Sequence, residues 1–153
     1  MEAKQRLKNE IVNQIRKKLN ATIDEINRNM AFARESRDNE TKSSVGDKYE
    51  TGREMANMEM EKLNMQLSKT MILLNEVGKL NVQKEYNTIG FGSLVFTNKA
   101  NYFISFGLGK VDVANETFFC ISLESPIGKA LSGKKQGDVV RFQNNEIVIK
   151  NIA

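Results

Sequence analysis

The first half of the chain repeats apolar residues with the period of an α-helix. From residue 7 to residue 33 they recur at every third or fourth position, as Leu7, Ile11, Ile15, Leu19, Ile23, Ile26, Met30 and Ala33. Lys, Arg, Asn, Glu and Gln fill the positions between them. This spacing places the apolar side chains on one helical face. The pattern therefore predicts one long amphipathic helix.

The apolar pattern stops at a polar segment, residues 36–44. Because no side chain there can join a core, the segment is predicted to form a turn, within a hairpin tip near residues 37–50. Ser43 or Ser44 is the expected N-cap of the next helix. Ser44 and Asp47 have the spacing of a capping box, with Asp in place of the usual Glu or Gln.

A second helical pattern follows the turn. Its apolar face is predicted to run through Tyr49, Gly52, Ala56, Leu63, Leu67, Met71, Leu74 and Val77, with Met58 or Met60 filling the gap after Ala56. Each helix would have roughly 35 residues and a length of about 50 Å. Two helices of equal length joined by a short turn bury their apolar faces by folding back on each other. Residues 1–78 are therefore predicted to form a long antiparallel coiled-coil hairpin; dimerisation is the alternative use of such a coiled coil.

The composition changes after Gly78 to short β-branched and aromatic runs. Predicted strands are residues 94–96, 102–106, 118–122, 139–142 and 147–152, with a tight turn at Asn144-Asn145 between the last two. Ser125-Pro126 has the sequence of a helix start, so residues 125–131 are predicted to pack Ile127, Ala130 and Leu131 on the sheet. The fold class is α+β: the hairpin, followed by a small β-rich domain at residues 79–153.

Composition excludes several kinds of catalysis. The chain has no histidine, so Ser-His-Asp catalysis, acyl transfer by a His-activated nucleophile and histidine zinc sites are excluded. Cys120, the single cysteine, lies in an apolar run and is interpreted as a structural thiol. The net charge of +4 is too small for a dedicated duplex-binding protein, although it allows contact with one nucleic-acid strand inside a larger complex. No signal peptide or apolar run of membrane-spanning length is present, which predicts a cytoplasmic protein.

One segment carries a family resemblance. Residues 125–140, Ser-Pro-Ile-Gly-Lys-Ala-Leu-Ser-Gly-Lys-Lys-Gln-Gly-Asp-Val-Val, resemble the C-terminal signature of the Gre transcript-cleavage factors. The order of elements is also similar to that family: a helical hairpin, a linker and a domain with an FKBP-like fold. The resemblance implies a bacterial factor that binds core RNA polymerase, inserts its hairpin into the secondary channel and reaches the 3′ end of the transcript. It implies neither a membrane nor a small-molecule substrate.

The resemblance also implies a role for acids at the hairpin tip. Gly46-Asp47-Lys48-Tyr49-Glu50 matches the Gly-Asp-x-x-Glu of the family and places Asp47 and Glu50 at its catalytic acids. The match ends at Glu50, because Thr51-Gly52-Arg53-Glu54 stands where the family has Asn-Ala-Glu-Tyr. The symmetry of the hairpin makes Asp38 and Glu40 the alternative pair. Two carboxylates at i and i+3 share a helix face and supply oxygen ligands for Mg²⁺. Here the ion would be shared with the polymerase, because the chain alone has too few carboxylates to hold it tightly.

Basic residues complete the candidate sites. Lys42, Lys48 and Arg53 surround the tip acids and would contact RNA phosphates or balance charge. In the C-terminal domain, Ser125, Pro126, Lys129 and Lys134 are assigned to docking on the polymerase by resemblance. Two other functions remain: a non-cleaving Gre homologue that occupies the channel to modulate initiation or pausing, and a peptidyl-prolyl isomerase or chaperone suggested by the FKBP-like domain.

Overall fold

The computed structural model describes residues 2–42 and 46–153, without the side chains of residues 40–42 and 46–49. Two long helices, α1 (Glu2–Lys42) and α2 (Gly46–Gly78), precede six strands and one short helix. In chain order these are β1 (Leu94–Thr97), β2 (Asn101–Ile104), β3 (Gly109–Val113), β4 (Glu116–Ile121), α3 (Pro126–Leu131), β5 (Val139–Phe142) and β6 (Asn145–Ile152). The predicted α+β class, with a helical hairpin before a β-rich domain, is confirmed.

The chain divides into two compact units. A helical unit comprises Arg16–Gly78, and a sheet unit comprises Met1–Ile15 together with Lys79–Ala153. The first fifteen residues therefore group with the second unit, which differs from the boundary predicted at residue 78. The difference has a physical basis within the sheet unit, because the ammonium groups of Lys4 and Lys8 donate hydrogen bonds to Asn151 and Lys84.

The helical unit has a heptad pattern of buried residues. Buried residues are spaced seven apart on both helices: Leu19, Ile26 and Ala33 on α1, and Ala56, Leu63, Thr70 and Val77 on α2. On α2, half-buried Met60, Leu67 and Leu74 lie between them, which gives the alternating spacing of four and three that two-stranded coiled coils use. Side chains of both helices, including Ile26 and Thr70, line a shared surface groove.

Two details of the predicted helices were wrong. Residues 36–42, assigned to a turn, are the last residues of α1; the segment contains no Gly or Pro, so helical hydrogen bonding continues where apolar packing ends. Met71, which was assigned to the buried face, is 55% exposed. The neighbouring Thr70 is buried instead, and its hydroxyl donates a hydrogen bond to the carbonyl oxygen of Gln66 at 2.8 Å. The predicted cap at Ser43 or Ser44 lies outside the described residues.

The sheet unit is built on one mixed six-stranded sheet. The strand order is β3-β4-β2-β1-β6-β5, and only β2 and β4 pair in parallel. The core under α3 consists of Ile89, Val95, Ile104, Leu131, Val140, Ile147, Ile149 and Ile152. Ile127 and Ala130 pack against this core, as predicted. The short helix is therefore held by the apolar residues that the sequence assigned to it.

Two turns of the sheet unit depart from the predictions. The β5–β6 turn lies at Gln143-Asn144, one residue before the predicted position, and both residues have positive φ, of 49° and 64°. A similar turn at Ala114-Asn115, with φ of 53° and 64°, joins β4 to a strand that was not predicted, β3. Paired positive-φ residues form the two-residue hairpins that match the twist of antiparallel strands.

Candidate functional site

The predicted tip acids belong to the last residues of α1 and the first residues of α2, on either side of the connection between the two helices. Asp38 is exposed on α1 and makes an ion pair with the neighbouring Arg37, with its Oδ1 3.5 Å from Nε. Glu50 is exposed on α2, one helical turn after Asp47. The side chains of Glu40 and Asp47 lie outside the described part. The helical backbone thus supports a shared face for positions 47 and 50, because i and i+3 are neighbours on a helix.

The basic residues of the tip are divided in the same way. Arg53 is exposed on α2, one turn after Glu50, while the side chains of Lys42 and Lys48 are not described. Among the described residues, no three His, Cys, Asp or Glu side chains are grouped so that they would hold a metal ion. Any Mg²⁺ at Glu50 would therefore need ligands from side chains outside the described part of the chain or from another macromolecule.

The predicted docking residues lie on α3 or within three residues of its ends. Ser125 is the N-cap: its Oγ accepts a hydrogen bond from the amide of Gly128 at 3.1 Å and donates one to the carbonyl oxygen of Ser122 at 2.7 Å. Both hydrogen bonds are internal, so this side chain holds α3 in place. Pro126, Lys129 and Lys134 are exposed and available to a partner. Hence the structure assigns a positioning role to Ser125 and surface positions to the other three residues.

A buried lysine was missed by the sequence analysis. Lys8 on α1 is only 2% exposed, and its ammonium donates a hydrogen bond to the carbonyl oxygen of Lys84 at 3.1 Å. The same ammonium lies 4.7 Å from the ring centroid of Tyr86, and the ammonium of Lys84 lies 4.9 Å from it. Tyr86 is fixed in turn by donating its hydroxyl to the carbonyl oxygen of Phe91 at 2.6 Å. One tyrosine ring therefore stabilises two cations.

The environment of Lys8 lowers its pKa. Burial disfavours the charged ammonium and brings the pKa from 10.5 to about 8; Glu85 opposes this change and Lys4 adds to it. Burial also raises the pKa of the Tyr86 phenol. No sequence pattern pointed to this cluster, because a lysine in an amphipathic helix is normally solvated. The only signal was its position, one turn before the buried Ile11 and Val12.

The buried ammonium predicts a pH dependence of stability. Between pH 8 and pH 10.5 the unfolded chain holds a proton on Lys8 that the folded chain has released, so the free energy of unfolding rises with pH across this window. The rise is at most about 3 kcal/mol. Lys8→Met removes the titrating group and should remove the rise. Denaturant unfolding of the unmodified chain and of Lys8→Met at pH 7, 8, 9 and 10 measures the free energy of unfolding. If this free energy changes with pH in the same way in both proteins, the prediction is wrong. Loss of protons by Tyr86 and Tyr102 affects both proteins only near and above pH 10.

Comparison with known proteins identifies the second half of the chain. Residues 87–152 match the family model described as "Transcription elongation factor, GreA/GreB, C-term". No curated protein matches the sequence. A solved structure titled "Structure of the transcription factor Gfh1" is 20% identical, with 90% of this chain and 94% of that chain covered and a TM-score of 0.40. No helix in the described part of the chain is long and apolar enough to cross a membrane. Residues 87–152 are therefore similar to the C-terminal domain of the GreA/GreB transcription elongation factors.

Proposed function

We propose that this protein binds the core RNA polymerase of its bacterium and regulates elongation by inserting the α1–α2 hairpin into the secondary channel. The observation that carries the proposal is the match of residues 87–152 to the family model of the GreA/GreB C-terminal domain. It is supported by the presence, in the same chain, of helices of 41 and 33 residues, which no small β domain needs for its own folding. Ordering such long helices costs conformational entropy. A function that requires a long hairpin would explain why the chain has them.

The hairpin has the length for this task. From Arg16, where the helical unit begins, to Lys42, where α1 ends, the helix extends for about 40 Å. The coiled-coil pattern of buried residues holds the two helices together along this length. Acids occur near the α1–α2 connection on both helices, with Asp38 and Glu50 exposed. A slender support that ends in carboxylates is suited to bringing negative charge into a narrow channel.

At the polymerase active site, Asp47 and Glu50 are proposed to act on metal and water. Their carboxylates would help to hold a second Mg²⁺ beside the polymerase's own ion and would orient the attacking water. The reaction is hydrolysis of a backtracked transcript near its 3′ end. Lys42, Lys48 and Arg53 would contact the RNA phosphates on either side of the acids. The chain is then an accessory to a reaction that the polymerase catalyses.

Docking through the exposed lysines of the sheet unit can be tested by charge reversal. The double variant Lys129→Glu, Lys134→Glu should weaken binding to core polymerase by about tenfold, because both side chains are exposed and neither has a structural hydrogen bond to lose. Lys99→Glu, which changes an exposed lysine of the β1–β2 turn, is the matched control. Titration of labelled protein with core polymerase gives the dissociation constants. Failure of the unmodified chain to bind at all would refute the proposed function, whereas equal affinities for all variants would refute only this docking surface.

A second candidate is a non-cleaving factor that occupies the channel and modulates initiation or pausing. The sequence after Glu50 favours it, because Thr51-Gly52-Arg53-Glu54 departs from the Asn-Ala-Glu-Tyr that follows the acids in the family. Both candidates require polymerase binding. They differ in whether the tip acids change the rate of transcript cleavage.

A further inference from the structure

A cationic cavity of about 300 Å³ lies within the sheet unit, and the proposed function does not use it. We call it the Lys8 cavity; its lining includes Lys4 and Lys8 from α1, Lys84, Glu85 and Tyr86 from the segment before β1, and Asn151 from β6. The hydrogen bond from Lys4 to Asn151 Oδ1, at 3.0 Å, and that from Lys8 to Lys84 fix two of the three ammonium groups on different segments. The cavity is therefore built by tertiary contacts.

The charges that line this cavity do not balance. Among the side chains that line it are three lysines and one carboxylate, that of Glu85, which is itself exposed. Within the described residues, no ion pair joins Lys8 to a carboxylate. Burial of an ammonium without a counter-ion is costly, and natural proteins almost always pair such a charge. The Tyr86 ring and one carbonyl oxygen offset part of that cost, but both are neutral, so the cavity keeps a net positive charge.

We propose that the Lys8 cavity binds a small phosphate-bearing anion, with Lys4, Lys8 and Lys84 as its charge partners. Each ammonium carries three donors and, on a flexible stem, adapts to the oxygens of a tetrahedral group. A phosphate provides several acceptor oxygens and close to two negative charges, which matches three lysines that line one cavity better than a single carboxylate does. The amide of Asn151 supplies a further donor at the wall.

Titration calorimetry on the full chain with sodium pyrophosphate, and separately with inorganic phosphate, tests the proposal at pH 8 and constant ionic strength. Pyrophosphate is expected to bind the unmodified chain with a submillimolar dissociation constant. Lys8→Met should raise that constant at least tenfold, and Lys84→Met, which alters an exposed side chain and leaves the fold intact, about threefold or more. Lys99→Met, in the same unit but away from the cavity, should leave it unchanged.

Proton uptake gives an independent measure of the same site. Lys8, with a pKa of about 8, is about half protonated at pH 8, so an anion bound beside its ammonium draws a proton onto it. Titrations in two buffers of different ionisation enthalpy should show up to half a proton taken up by the unmodified chain and by Lys99→Met, and none by Lys8→Met.

The source of the phosphate is distinguished by a third titration, with a ten-nucleotide single-stranded RNA. A site for a small anion predicts that pyrophosphate binds and that the RNA does not compete with it. RNA binding without pyrophosphate binding would overturn the proposal, because the site would then recognise the phosphate groups of a nucleic-acid backbone and not a small anion. Equal pyrophosphate affinity for the unmodified chain, Lys8→Met and Lys84→Met would overturn it too, as would no measurable binding.

Discussion

Gly128→Ala is expected to destabilise the sheet unit by about 3 kcal/mol, a loss of about 10–20 °C in the melting temperature for a unit of this size. Gly128 is buried in α3, and a methyl group added there would overlap the carbonyl oxygen of Ser122 and lie 2.9 Å from the Oγ of Ser125. The carbonyl cannot withdraw without cost, because it accepts hydrogen bonds from both the amide and the hydroxyl of Ser125. The substitution therefore either displaces α3 or breaks its N-cap.

Gly107→Ala is the matched control for this substitution. Gly107 is exposed, and a methyl group added there would meet no atom within 4 Å. The change should alter the free energy of unfolding by no more than about 0.5 kcal/mol. Thermal unfolding of the three proteins, followed by circular dichroism, measures both effects. Equal melting temperatures for Gly128→Ala and the unmodified chain would show that α3 can move away from Ser122 freely.

The same segment shows what local sequence determines. Ser125 and Pro126 start α3 through the side-chain cap and the fixed proline φ, both of which act within a few residues. Five strands were likewise predicted because their apolar runs are short, β-branched and separated by turn residues. Most heptad residues of both helices were predicted for the same reason, because their spacing is a property of the chain itself; Thr70 was not, because the apolar Met71 lies next to it.

Features that depend on tertiary contacts were not predictable. β3, an edge strand, was missed because its buried Val111 and Val113 alternate with exposed Lys110 and Asp112 and so form no continuous apolar run. Lys8 was missed because its burial depends on Tyr86 and Lys84, more than seventy residues away in sequence. α1 was predicted to end too early because the end of its apolar pattern was taken as the end of the helix. Helical hydrogen bonds need only the absence of breakers, whereas packing needs a partner.

The tip acids are the part of the site on which the proposed function most depends. Asp47 and Glu50 are placed by resemblance and by their i, i+3 spacing on α2, and the exposed Glu50 is consistent with contact to a partner. Asp38 and Glu40 are the alternative pair on α1. A cleavage assay on backtracked elongation complexes can separate the pairs, because isosteric amides keep side-chain size and remove the charge that Mg²⁺ requires.

In that assay, Asp47→Asn, Glu50→Gln is expected to lower factor-stimulated cleavage on the order of 100-fold, the size of effect seen when charge stabilisation is removed from a transition state. The Mg²⁺ concentration for half-maximal cleavage should rise in either single variant, since each loses one ligand. Affinity for core polymerase should stay unchanged.

Asp24→Asn, Glu25→Gln, which alters exposed acids in the middle of α1, should cleave like the unmodified chain. Loss of cleavage only in Asp38→Asn, Glu40→Gln would move the catalytic acids to α1. If the unmodified chain binds polymerase and stimulates no cleavage, the non-cleaving function stands, and the acids then serve only to carry negative charge into the channel.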